Sequence, residues 1–78
     1  MSQTTAEVVG AAVRAELARA GKSQTDLAAV LGVTQAAVSK RIRGVTPFDV
    51  NEIALVAQAL GVDVSVLIAD HARQTTAP

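Results

Sequence analysis

The chain has 78 residues, no net charge, no cysteine and one histidine, and half of its residues are hydrophobic. This length suits one small domain, whose modest core would benefit from self-association. Without cysteine there is no disulfide, thiolate catalysis or cysteine-ligated zinc, and His71 alone cannot build a histidine metal site. No apolar run reaches about 18 residues, and the N-terminus lacks signal-peptide features. We therefore expect a soluble cytoplasmic protein that is not an enzyme and needs no metal, cofactor or small-molecule ligand.

The charges are unevenly distributed along the chain. Residues 14–43 carry six Lys and Arg against two Asp and Glu, whereas residues 44–78 carry one against four. A neutral total disfavours non-specific coating of nucleic acid, while a basic middle suits one face turned toward phosphate. Such asymmetry is also common in soluble domains and does not identify a function by itself.

Capping and stop signals predict the first two helices. Thr4 has the capping-box spacing with Glu7, and Gly21 ends the first helix. Ser23 begins the second helix, which Gly32 closes after about two turns. Apolar residues at helical spacing predict the buried stripes of the two helices: Val9, Val13 and Leu17, then Leu27 and Leu31.

The same signals predict two further helices. Thr34 can cap a third helix, which runs to Arg43 and stops at Gly44. Asp49, with Glu52 three residues later, forms an N-cap pair that begins a fourth helix, and Gly61 ends this helix. Phe48 is placed to form a hydrophobic staple with Ile53 of this helix. The predicted core stripe of the fourth helix is Val50, Ile53, Ala57 and Leu60.

The residues after Gly61 permit two interpretations. Apolar residues alternate with period two over Val62, Val64, Val66 and Ile68, which is typical of a strand. We favour a fifth helix, capped by Asp63 and ending near residues 69–71, because no partner strand is predicted elsewhere. The sequence therefore predicts an all-α, compact bundle of about five short helices over residues 1–72, with a flexible C-terminal tail over residues 73–78.

Residues 24–43 have the pattern of a helix-turn-helix, two short helices joined by a tight glycine turn. Ala28 is small enough to let the helices cross closely, and Gly32 permits a left-handed turn. Apolar residues at the expected spacings would hold the crossing angle: Leu27, Leu31, Val33 and Val38.

The third helix has two faces when it is drawn at about 100° per residue. One face is polar and basic toward its end, with Gln35, Ala36, Ser39, Lys40 and Arg43. The other face carries Ala37, Val38, Arg41 and Ile42. The polar face suits a helix that enters the DNA major groove with its N-terminus first. Each polar residue alone is equally compatible with a solvated helix surface.

With these features the chain resembles the Cro/repressor-type (Xre-like) helix-turn-helix family, whose members include lambda-repressor-like phage immunity repressors and Cro-like proteins. The resemblance runs from about Val9 to Ile68. It rests on Ser23-Gln24-x-x-Leu27-Ala28, Leu31-Gly32-Val33-Thr34-Gln35-x-x-Val38-Ser39, Arg43-Gly44 and Ala57-x-x-Leu60-Gly61-Val62. The segment Arg43-Gly44-x-Thr46-Pro47-Phe48-Asp49 looks most like members from actinobacteria and their phages.

The resemblance implies sequence-specific binding to double-stranded DNA. Gln35 would bind the adenine edge and Ala36 would meet a thymine methyl group, because both edges lie in the major groove. The implied base-reading set is Gln35, Ala36, Ser39 and Lys40. The implied phosphate contacts, which position the protein without specifying sequence, are Lys22, Gln24, Thr34, Arg43 and Thr46.

The chain departs from the family pattern at residues 41 and 42. The family usually has an apolar residue where this chain has Arg41 and often a polar one where it has Ile42. We expect Ile42 to take over the packing. Arg41 would lay its stem along apolar surface and extend its guanidinium to a phosphate.

Helices four and five carry more apolar residues than one small core needs. We therefore predict a two-fold homodimer through Leu55, Ala59, Val64, Leu67 and Ile68. Such a dimer would place two recognition helices about 34 Å apart on a palindromic operator and repress transcription there. The alternative function is a helix-turn-helix module that acts mainly through protein–protein contacts, as an antitoxin or antirepressor does.

Overall fold

The computed structural model describes residues 3–68, and every regular element in that range is helical. The helices are α1 (Thr5–Ala20), α2 (Gln24–Leu31), α3 (Gln35–Ile42) and α4 (Val50–Leu60). Residues 64–68 are also helical and are called α5 here. The all-α prediction is confirmed, as is the preference for helix over strand after Gly61. The predicted end of the fifth helix, His71 and the predicted tail lie outside the described residues. None of the helices within residues 3–68 has the length and apolar character to span a membrane.

The capping signals act as predicted. Three capping boxes form, in which the N-cap side chain accepts from a backbone N–H three residues on and the acid accepts from the N-cap N–H: Thr4 with Glu7, Ser23 with Asp26, and Asp49 with Glu52. Thr34 caps α3 by accepting from the Ala37 N–H at 3.1 Å. Each such cap contributes about 1 kcal/mol to the stability of its helix.

The core lies where α1 and α2 pack against α3 and α4, and Leu67 of α5 contributes to it. Helix α1 packs on α3 and α4, and α2 packs on the same two helices. The buried cluster consists of Val9, Val13, Leu17, Leu27, Ala28, Val38, Ile42, Val56, Ala57 and Leu67. The stripes predicted for α1 and α2 are therefore confirmed, except that Leu31 is only half-buried.

Two apolar residues lie elsewhere than predicted. Val50 is 86% exposed rather than part of the core, because the core-facing side of α4 begins one turn later with half-buried Ile53 and includes buried Val56. Leu67 is 0% exposed within a single chain, so its prediction as a dimer contact is wrong. Helix α5 turns Leu67 inward to close the core, and a side chain buried in this way offers no surface to a second copy.

Helix α1 approaches the end of α3 through a glycine inside α1. A Cβ added to Gly10 would overlap the Ile42 carbonyl oxygen and lie 2.8 Å from that of Arg41. Gly44, at a φ of +80°, makes a similar approach, because its Cβ would lie 2.7 Å from the Cα of Glu7. These two glycines bring α1 against the C-terminal end of α3 and thereby set the position of that helix.

Candidate nucleic-acid interface

The two faces of α3 separate as the sequence predicts. Gln35, Ala36, Lys40 and Arg43 are exposed, and Ser39 is half-buried beside them. On the opposite face Val38 and Ile42 are buried in the core. The prediction that Ile42 takes up the packing is therefore confirmed. The exposed face runs the whole length of the helix and combines amide, hydroxyl and cationic groups.

The N-terminal end of α3 is electrostatically compatible with a nearby anion. Gly32 ends α2 in the left-handed conformation at a φ of +67°, and Val33 donates its N–H to the Ala28 carbonyl at 3.1 Å. Thr34 then caps α3, whose first turn contains no acidic residue. Free backbone N–H groups and the helix dipole make such an end favourable for phosphate. Gln35 and Ala36 sit exposed on this turn.

The chain after α3 folds back onto the end of that helix. Val45 and Thr46 both donate their N–H groups to the Lys40 carbonyl, at 2.9 and 3.3 Å. The Arg43 Nε also donates to the Ser39 carbonyl, at 3.4 Å. These bonds satisfy the carbonyls of Ser39 and Lys40 and hold half-buried Thr46 at the end of α3. Cationic and hydroxyl groups are thus gathered at one end of the exposed face.

Arg41 has a different environment from the one predicted. Its side chain is largely covered, its Nε donates to the Glu52 Oε1 at 3.1 Å, and its Nη1 donates to the Ala37 carbonyl at 3.2 Å. The hydrogen bond from Arg41 is also the largest cause that lowers the pKa of Glu52. These contacts correct the prediction that Arg41 extends to phosphate, because its guanidinium is held between α3 and α4. The sequence pattern gave no sign of Glu52 as its partner.

The two remaining predicted phosphate contacts lie at the start of α2. Gln24 is the first residue of that helix and is half-buried, while Lys22 is exposed in the preceding turn. The backbone hydrogen bond from Ser23 is the largest cause that lowers the pKa of Asp26, and the charge of Lys22 is the smallest. Both α2 and α3 therefore begin with a glutamine directly after a capping hydroxyl residue.

The four exposed or half-buried residues left from the predicted dimer surface do not all line the same cavity. Val64 and Ile68 line an apolar groove that continues along α4, together with Val9, Phe48, Val50, Ile53 and Ala54. Ala59 instead lines a separate cavity with Leu17, Lys22, Asp26, Leu27, Ala29, Val30 and Leu60. Leu55 is exposed and borders neither of these two cavities.

No group of three potential metal-ligating residues occurs among residues 3–68. Gly10 and Glu52 are the two contributors to this surface that sequence reasoning missed. The available signal for Gly10 was a glycine inside an otherwise regular helix. Glycine destabilises the interior of a helix, so its presence there indicates that another segment lies too close for a Cβ atom. Glu52 was assigned only to the capping box of α4.

Comparison with known proteins places this geometry in a family. The chain is similar to the crystal structure of the clp gene regulator ClgR from C. glutamicum, with 28% identity, a TM-score of 0.83 and coverage of 97% of both chains. It is also similar to the hypothetical transcription factor NHTF from Neisseria, with 25% identity, a TM-score of 0.75 and coverage of 92% of this chain and 86% of the other. No curated protein sequence gives a significant match. A family profile described as helix-turn-helix matches residues 13–67, and the chain belongs to that family.

Proposed function

We propose that the chain is a DNA-binding transcription regulator in which α3 enters the major groove. The observation that carries this proposal is the exposed polar face of α3, which begins at a capped N-terminus without acidic residues and ends in Lys40 and Arg43. The two similar structures are those of a clp gene regulator and a hypothetical transcription factor, which supports the same function.

The exposed side chains of α3 suit distinct base contacts. Gln35 can donate and accept simultaneously and so match the N6 and N7 atoms of adenine. Ala36 is short and apolar, as contact with a thymine methyl requires. Ser39 and Lys40 follow one turn later, and Lys40 carries the charge that favours guanine O6 and N7. We assign base reading to these four residues.

The proposed phosphate contacts lie at three places: the start of α3, the end of α3 and the start of α2. Thr34 lies at the start of α3, Arg43 and Thr46 at its end, and Lys22 and Gln24 at the start of α2. Such contacts fix orientation on the duplex without reading sequence. Arg41 is left out of this set because Glu52 already binds its guanidinium.

We further propose that two copies bind one palindromic operator and repress transcription from it. The exposed apolar groove that contains Val50, Val64 and Ile68 would be the contact surface, and a second copy would cover it. Apolar side chains dominate its lining, and a domain of this length gains stability from burying them. Leu55 and Ala59 would lie outside this contact.

Selection of bound duplexes from a random pool at about 0.15 M salt tests the DNA-binding proposal. The proposal predicts enrichment of an inverted repeat whose half-sites are about 10 base pairs apart, centre to centre. Enrichment of a single half-site would retain DNA reading but contradict the dimer. No enrichment by a protein shown to be folded would contradict the function.

Sedimentation velocity at tens of micromolar tests the dimer surface. Val64→Lys places a charge in the groove, whereas Val30→Lys makes the same change at a similarly exposed valine in the other cavity. We expect the wild type and Val30→Lys to sediment as dimers and Val64→Lys as a monomer. A monomeric wild type, or dissociation by Val30→Lys alone, would contradict this assignment.

A further inference from the structure

We propose that the ion pair between Arg41 and Glu52 is a positioning device that fixes α3 and the loop after it for DNA reading, while Arg41 itself contacts no phosphate. The inference rests on the proposed function, because it concerns the accuracy with which α3 is presented to DNA. It also makes a statement about the free protein, namely that the pair orders the loop over residues 43–49.

The first argument concerns how α3 and α4 are joined. The helices in close contact are α1 with α3, α1 with α4, α2 with α3 and α2 with α4. Helices α3 and α4 therefore both rest on α1 and α2, and the direct contact between α3 and α4 is less extensive than these four. The Arg41 guanidinium spans this junction, since it binds the Ala37 carbonyl on α3 and the Glu52 carboxylate on α4.

The second argument is that one oxygen of Glu52 serves two partners. Its Oε1 accepts from the Arg41 Nε at 3.1 Å and from the Asp49 N–H at 3.0 Å. Asp49 in turn accepts from the Glu52 N–H at 2.7 Å. The capping box of α4 and the ion pair are thus one hydrogen-bonded unit. This unit fixes the point where the loop enters α4.

The third argument is that the start of the same loop is fixed by other means. Gly44 lies against Glu7 of α1, and Val45 and Thr46 bind the Lys40 carbonyl. With the Arg41–Glu52 pair at the far end, the loop is held on both sides. Thr46, which we propose as a phosphate contact, lies at the end of the first fixed segment.

The energetics of partly buried ion pairs favour a positioning role over simple stabilisation. Removing both charges from water costs free energy that offsets much of their attraction, so the net contribution to stability is small. Breaking the pair leaves a covered charge without its partner, which is costly. The pair therefore disfavours alternative placements of α3 more than it stabilises the fold.

The test uses Arg41→Met, which keeps an unbranched apolar stem, Glu52→Gln, which keeps an oxygen for the Asp49 N–H, and the double variant. Affinity is measured for the selected duplex and for a scrambled duplex of equal length, across a series of salt concentrations. Discrimination is the ratio of the affinity for the selected duplex to that for the scrambled duplex. We expect each single variant to lower this ratio roughly tenfold and the double variant to lower it no further, because the two residues act as a unit. Arg41→Lys should restore part of the loss.

Salt dependence separates positioning from phosphate contact. For Arg41→Met we expect the slope of log K against log salt to remain that of the wild type. Arg43→Gln serves as the matched control and should make the slope shallower by about 0.9 per chain, because it removes a cation that we assign to phosphate. A slope change of the same size for Arg41→Met would overturn the proposal.

Hydrogen exchange of the free protein provides a readout that needs no DNA. We expect Arg41→Met and Glu52→Gln to speed amide exchange at residues 44–46 and 48 and to leave the middle of α1 unchanged. Lower stability with unchanged loop exchange and unchanged discrimination would mean a structural role only and would overturn the proposal. A wild type without discrimination would contradict the proposed function, while loop exchange would still decide the role of the pair in the free protein.

Discussion

Replacing Gly10 by alanine tests the close approach of α1 to α3. Helix propensity alone predicts a gain, because alanine in a helix is more stable than glycine by about 0.5–1 kcal/mol. The structure predicts a loss. The new methyl group would overlap the Ile42 carbonyl oxygen and lie 2.8 Å from that of Arg41, whereas ordinary C···O contacts are about 3.3–3.6 Å.

The size of the loss follows from what must move. Overpacking a core typically costs about 1–3 kcal/mol, and the upper end applies here because the obstacle is backbone rather than a flexible side chain. Subtracting the propensity gain leaves a net loss of about 2 kcal/mol. In a domain of this size that lowers the melting temperature by about 10 °C. Helix α3 would also shift away from α1, so operator affinity should fall.

Urea unfolding followed by circular dichroism measures the effect. Ala11→Gly is the matched control, since it lies at the next position of α1, is exposed and changes helix propensity alone. It should lower the free energy of unfolding by about 1 kcal/mol. If Gly10→Ala raises stability, or leaves it unchanged, the close packing of α1 on α3 is not as described.

Three further substitutions and conditions test other parts of the structure. Ile42→Ala removes a buried side chain and should cost roughly 2–5 kcal/mol in urea unfolding; a loss below about 1 kcal/mol would contradict its burial. Thr34→Ala should lower stability by about 1 kcal/mol through loss of the α3 cap, whereas Thr34→Ser should be nearly neutral; equal losses would contradict the capping role. The pKa of Glu52 lies below its ordinary 4.5. Its contribution to stability is therefore complete above about pH 4.5 and is lost as the pH falls through the lowered folded value. Glu52→Gln should reduce the fall in the free energy of unfolding as the pH is lowered. An unchanged fall would contradict the pairing.

The helix boundaries were accessible from sequence because each depends on local chemistry. Ser23 and Thr34 cap through hydroxyl groups that act within three residues, and Gly32 supplies a backbone conformation that other residues adopt at a cost. The same holds for the exposed face of α3, which follows from helical spacing within one segment. Such features require no knowledge of what packs against them.

The incorrect predictions all concern contacts between segments distant in sequence. Arg41 pairs with Glu52, and nothing in the local spacing of either residue indicates the other. Val50 and Leu67 are both apolar residues of helices, and only the packing of the whole bundle decides that one is exposed and the other buried. Gly10 looks like a weak point of α1 until α3 is placed against it.

The most direct test of the account is base preference at the position that Gln35 is proposed to read. Affinities of the wild type and Gln35→Ala would be compared on the selected operator and on operators with each adenine replaced. The matched control is Gln58→Ala, an exposed glutamine on α4. We predict that the wild type and the control prefer adenine at one position per half-site by about 1–3 kcal/mol, and that Gln35→Ala loses this preference. Retention of the full preference by Gln35→Ala would contradict base reading by α3.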